Sequence, residues 1–151
     1  MNNDFFLHLK QEHTEVKKIL EQLDKTTTKA VKTREKLFEK LSEKLMPHME
    51  AEEEVFYSVL LEKKASTEDV LEALEEHHAA KTVFDELGYL PREKDNWGAK
   101  LNVFKEMIEH HIMEEEHKIF TDAREALSQE QIEDIFRRFK EAEEKLQHSV
   151  V

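Results

Sequence analysis

Apolar side chains recur along most of this chain at steps of three and four, the spacing that lines one face of an α-helix. From about Asp4 to Asp24 that face reads Phe6, Leu9, His13, Val16, Leu20 and Leu23, and the threonines 26 to 28 end it. A second run, from about Ala30 to Lys63, carries Leu37, Leu41, Leu45, His48, Glu52, Phe56 and Val59, with Pro47 predicting a kink or a restart beside His48. Ser66 and Asp69 resemble a capping pair opening a third helix, whose face is Leu71, Leu74, His77, Phe84 and Leu87 and which Gly88 would stop. Asp95 or Asn96 would cap a fourth, from about Trp97 to Leu127, with Leu101, Phe104, Ile108, His111, Glu115 and Ile119 in line. Ser128 and Gln131 form a capping box for a last, shorter helix carrying Ile132, Ile135, Phe136 and Phe139, and residues 141–151 read as a fraying, solvated end.

Long helices with short connections pack most readily as antiparallel neighbours. The expected fold is therefore all-α, an up-down-up-down four-helix bundle with a short C-terminal fifth helix. One domain over 1–151 is expected, with the bundle over about 4–127 and the fifth helix over about 129–147.

Composition narrows the function. Two Gly, two Pro and 38% charged residues suit helices and leave few breakers for hairpins. A formal net charge of −12 with no basic run argues against nucleic-acid partners and anionic membrane surfaces. No apolar stretch approaches the ~18 residues of a span, and MNNDFFLHLK lacks the basic start and apolar segment of a signal peptide, so a cytoplasmic protein is expected. With no Cys, thiolate nucleophiles, Fe–S clusters and Cys-type zinc sites are all excluded.

The apolar stripes themselves carry the chemistry. His13, His48, His77 and His111 each interrupt the stripe of a different long helix, and Glu52 and Glu115 extend two of those stripes by one turn. His48 with Glu52, and His111 with Glu115, stand four apart, so each pair projects from one side of its helix. Buried glutamates are costly unless paired or bound to a metal, so two of them beside four inward imidazoles call for a cation. Imidazole and carboxylate without thiolate suit Fe, Mn or Zn, and carboxylates from opposed helices can bridge two ions. Four imidazoles, two bridging carboxylates and a bridging oxide or hydroxide still leave two six-coordinate ions with open positions, as a reactive site needs.

On the segments LMPHMEAEEEVFY, EEHHAAKTVFDEL and HHIMEEEHKIF, the chain resembles hemerythrin-like proteins of the HHE cation-binding family over about residues 4–127, and loosely into the C-terminal helix. The family's order of His, His-x-x-x-Glu, His, His-x-x-x-Glu is matched by His13, His48 with Glu52, His77, and His111 with Glu115. The resemblance implies a four-helix bundle holding two iron ions without haem. It also implies a role in oxygen carriage or sensing, iron handling, or reactions of peroxide or nitric oxide. Oxygen carriers of the family have His-x-x-x-His on the third helix, where this chain has His77 and Lys81, and their fourth-helix acid is an aspartate five residues after the histidine. The likeness is thus to the HHE branch, and it favours small-molecule redox chemistry or sensing over storage.

Neighbouring residues have plainer expectations. His78 and His110 would support the ligands from outside or lie at the rim, and His117 in solvent; Glu53, Glu54, Glu114 and Glu116 would be mainly solvated charge, with one of them able to fill an open metal position, and His8 and His148 peripheral. Tyr57 or Tyr89, as phenolate, is an alternative occupant of an open metal position. Two alternatives stand beside the iron reading. Glu75 to His78 and Glu114 to His117 spell Glu-x-x-His, as in a ferritin-like di-iron oxidase. An acidic, metal-free bundle could instead serve as a protein-interaction module.

Overall fold

A computed structural model describes residues 4–149 and is all-helical among them. Five rods follow one another. Helix α1 is Asp4–Asp24. Helix α2 runs as α-helix over Val31–Glu52, passes through a π-helical turn at Glu53–Tyr57 and resumes over Ser58–Glu62. Helix α3 is Thr67–Tyr89. Helix α4 repeats the plan of α2, with Asp95–Glu114, a π turn at Glu115–Ile119, and Phe120–Ala126. Helix α5 is Gln129–Ser149 and lies against α1 and α2.

Two apolar clusters hold the rods together. One gathers Phe5, Phe6 and Leu9 from the start of α1, Ala51 to Leu60 from the far part of α2, Val70 and Ala73 from the start of α3, and Ile119 to Ala123 from the far part of α4. The other takes the complementary halves: Val16 to Leu23, Leu41 to Met49, Ala80 to Leu87, and Trp97 to Ile112. His13, His48, His77 and His111 fall where each helix crosses from one cluster to the other. A polar layer between two dry cores results.

Several local expectations change. Each π turn inserts one residue into its helix, so beyond Glu52 the buried positions move from Val59 to Leu60. In α3 the buried face is Val70, Ala73, His77, Ala80, Phe84 and Leu87, while Leu71 is exposed; two alanines hold buried positions that a search for bulky apolar residues passes over. Gly88 does not stop α3, which runs on to Tyr89; Leu90, preceding Pro91, is forced into extended backbone and ends it. Helix α2 continues through Pro47 without a restart. Ser66 precedes α3 in a left-handed conformation, but its hydroxyl donates to the Asp122 carboxylate at 2.6 Å rather than capping the helix. Neither Asp95 nor Asn96 caps α4, which starts at Asp95 after Lys94.

The capping box at Ser128 and Gln131 forms in both directions, at 2.8 and 3.1 Å. Helix α5 does not fray where expected, because Ala142, Glu143 and Leu146 continue the stripe of Ile132, Ile135 and Phe139 onto the bundle; only residues 150 and 151 of that expected tail lie outside the described residues. No described helix is long and apolar enough to cross a membrane.

Candidate metal centre

The polar layer collects all six residues singled out by the stripes, and each is buried to within 5% of full exclusion from solvent. Their donor atoms converge in two groups. His13, His48, Glu52 and Glu115 offer one set within 4.8 Å of one another, and Glu52, His77 and His111 offer a second. Glu52 belongs to both: one carboxylate oxygen lies 3.7 Å from His48 Nε2 and the other 3.3 Å from His77 Nε2. Glu115 belongs to the first group only, with Oε1 3.1 Å from His13 Nε2.

Every one of the four imidazoles is held from behind. His13 Nδ1 donates to Glu116, His48 Nδ1 to Glu12 and His77 Nδ1 to Glu53, each at 2.7 Å, and His111 Nδ1 donates to Glu76 at 2.8 Å. A carboxylate only accepts, so each Nδ1 carries the proton, and deprotonation of the ring exposes a lone pair on Nε2 aimed at the layer's middle. Glu53 and Glu116 are thus half-buried partners of the imidazoles rather than solvated charge, and Glu12 and Glu76 take the same role, which the stripes do not predict. A signal for them existed. Glu12-His13 with His48-x-x-x-Glu52-Glu53 is repeated as Glu76-His77 with His111-x-x-x-Glu115-Glu116. Lys81, which stands where carriers of the resembled family have a histidine, reaches Glu53 at 3.3 Å instead of the centre.

The donor set fits a bound cation on two observations. His48 Nε2, both oxygens of Glu52 and Glu115 Oε1 are buried without a hydrogen-bond partner, and orphaned polar atoms of this kind are rare and costly. Moreover, His77 Nε2 and His111 Nε2 face each other at 3.0 Å. With Nδ1 protonated on both rings, two lone pairs repel there unless a positive charge lies between them.

Electrostatics differ across the layer. Burial would lower His13, yet the carboxylates of Glu115 and Glu116 beside its two ring nitrogens outweigh it and hold the ring up at about 9. Burial pulls His77 down to about 4 despite its bond to Glu53, and the neighbouring His111 pushes the same way. His48 is lowered by burial as well. The two glutamates cannot both ionise freely: burial and the charge of Glu115 raise Glu52 well above the carboxylate range. Burial opposes ionisation of Glu115 too, but the neighbouring carboxyl of Glu52 and the ring of His13 hold it well below that range. Tyr57, pushed up by burial and by Glu115, stays a phenol and donates to Glu115 Oε2.

The remaining expectations sort by exposure. His78 and His117 are exposed and His110 is more than half exposed, all at the rim or outside. Glu75 is exposed and Glu114 pairs with Lys118 at 2.9 Å, so the Glu-x-x-His pairs of the ferritin-like alternative do not assemble. His8 is not peripheral: it joins Glu12 and Glu143 between α1 and α5.

A family model for the hemerythrin HHE cation binding domain matches residues 5–123. The crystal structure of a hemerythrin HHE cation binding domain-containing protein from Mycobacterium kansasii has the same fold, with a TM-score of 0.83 at 23% identity, covering 99% of this chain and 90% of that one. No curated protein sequence matches the chain significantly.

Proposed function

The chain belongs to the hemerythrin HHE cation binding domain family, and we propose that its polar layer holds two iron ions with a bridging oxide or hydroxide, inside an up-down-up-down four-helix bundle. In this reading it is a cytoplasmic protein that reacts with or senses a small molecule: dioxygen, peroxide or nitric oxide. The carrying observation is the pair of donor groups that share Glu52, with orphaned atoms on His48, Glu52 and Glu115 facing inward.

His13, His48 and Glu115 would serve one ion, His77 and His111 the other, and Glu52 both. When bound, the iron pair supplies electron exchange with a small ligand; the remaining work belongs to the chain. Glu116, Glu12, Glu53 and Glu76 fix the imidazoles in the ligating tautomer and raise their basicity. Tyr57 donates its one O–H to the second oxygen of Glu115, and its phenol oxygen lies at the edge of the His77 and His111 side, 3.4 Å from His111 Nε2. The aromatic cluster formed by Phe6, Phe56 and Phe120 excludes water from one side. Lys81, drawn to Glu53, leaves the His77 side one imidazole short of a carrier's, which supports turnover or sensing over storage.

Metal analysis after iron-replete expression, with optical spectra before and after peroxide, dioxygen and nitric oxide, tests this reading. Two irons per chain, with bands of an oxo-bridged ferric pair that change on addition of one of the three, are expected. Less than one metal per chain would sink it and leave the metal-free interaction module standing.

A further inference from the structure

Away from the centre, among the described residues, a third set of ligand-type side chains converges. His8 and Glu12 on α1 and Glu143 on α5 bring donor atoms within 4.8 Å of one another. Glu12 and Glu143 are only 5% and 7% exposed. The rings of Phe136 and Phe139 pack on His8 at 5.3 and 5.8 Å, so the group sits under an apolar cover. Glu143 Oε2 and His8 Nε2 are buried there without a hydrogen-bond partner. Lys44 is committed to Glu15 at 2.8 Å and does not neutralise the two acids by contact.

Glu12 divides its work between its oxygens. Oε1 accepts the His48 Nδ1–H at 2.7 Å, while Oε2 stands 3.4 Å from His8 Nε2, and Glu143 Oε1 is 3.7 Å from the same nitrogen. Ligands held about 2.1 Å from a tetrahedral ion lie about 3.4 Å apart, so these spacings leave room for an ion between the three side chains. Two buried carboxylates and one imidazole are a donor set suited to zinc, manganese or ferrous ions.

We propose that His8, Glu12 and Glu143 form a separate mononuclear site for a divalent first-row transition ion, outside the central pair. Glu12 ties the outer site to the centre, because an ion on Oε2 draws charge from the carboxylate that supports His48. Occupancy of either site then alters affinity at the other by the same factor.

Zinc binding to the metal-stripped full chain tests the proposal, by equilibrium dialysis and metal analysis of wild type, Glu143→Gln and His8→Gln. Each variant is expected to bind one zinc ion fewer per chain than wild type. In a His77→Ala/His111→Ala background, which weakens the centre, adding Glu143→Gln should still remove one ion. Equal zinc content in wild type, Glu143→Gln and His8→Gln overturns the proposal. Should Glu143→Gln fail to fold, the half-buried His8→Gln decides alone. Loss of the central ions with the outer ion retained would overturn the iron reading and leave this one intact.

Discussion

The first two helices and the next two are built to one plan, yet they hold their protons differently. Helices α1 and α2 present Glu-His and His-x-x-x-Glu-Glu, and so do α3 and α4, with a π turn after the second motif in each half. His13 and His77 occupy matching positions and are both almost wholly buried, at 3% and 1% exposed. Nevertheless His13 is held at about 9 and His77 at about 4. Burial is therefore not what decides. His13 faces carboxylates at both ring nitrogens, whereas His77 Nε2 faces another imidazole at 3.0 Å as well as Glu52 at 3.3 Å. His13 thus keeps its positive charge as a proton, whereas His77 is left neutral with a lone pair for a cation.

The largest effect should come from the residue that belongs to both halves. Glu52→Ala removes a donor from each group and should lose both ions, whereas Glu115→Ala takes a donor from the His13 group alone and should retain about one. If iron is present at about a thousand times its dissociation constant, its loss costs about 4 kcal/mol. That corresponds to a fall in Tm of roughly 10 °C for a chain of this size. Metal content and melting temperature of the two variants, measured together, check it. Equal metal content would erase the asymmetry between the carboxylates.

Next in size is the pH response of the metal-free protein. The folded pKa of His13 lies above the unfolded value of about 6.5, so its contribution is complete below that pH and is lost as pH rises toward about 9. His77 works in the opposite sense, contributing fully above about 6.5 and losing its contribution as pH falls toward about 4. Metal-free stability should thus decline between pH 6.5 and 9 by something on the order of 3 kcal/mol. His13→Gln should remove its share of that alkaline decline, leaving the share of His8, which is also held at about 9, and the acid side unchanged. Urea unfolding across the range would show it; an unchanged slope in the variant would mean that His13 is neutral.

The bundle and its six inward residues were legible because they ride on apolar stripes, and period is what a sequence shows most openly. His13 sits between Leu9 and Val16, and His77 is followed at Phe84 by the same face. Glu12, Glu53, Glu76 and Glu116 were hidden because each occupies the edge of its stripe, where a solvated glutamate looks the same. Only the partner across the bundle tells them apart. Glu53 reaches His77 and Glu116 reaches His13, each from the other half of the chain. The buried tail of α5 was missed for a related reason: Glu143 reads as surface until His8 and Glu12 are placed beside it.

Those cross-links allow each half to be weakened from the opposite one. Glu53→Ala should lower affinity for the ion on the His77 side, and Glu116→Ala for the ion on the His13 side, by roughly 10- to 100-fold each. Stepwise iron or zinc titration of the stripped variants would resolve the two ions. A change on the wrong side in either case would show that the Nδ1 partners are not what positions the ligating rings.

The finest difference between the halves is a single oxygen. Tyr57 and Phe120 stand nine residues after His48 and His111, but only Tyr57 carries a hydroxyl, and it donates to Glu115. Phe120 instead lies parallel to the His13 ring, with centroids 6.2 Å apart. Tyr57→Phe makes the two halves alike at this position. In the metal-free protein it leaves Glu115 Oε2 buried without a donor, at a cost of about 1.5 kcal/mol, or roughly 3 to 6 °C in Tm. In the iron-loaded protein the cost should shrink, because the freed oxygen can turn toward the ion beside His77 and His111, as Glu52 does by spanning both groups. A Tm deficit that is equal with and without iron would mean that Glu115 stays with the His13 half alone, and that Glu52 is the sole carboxylate spanning both.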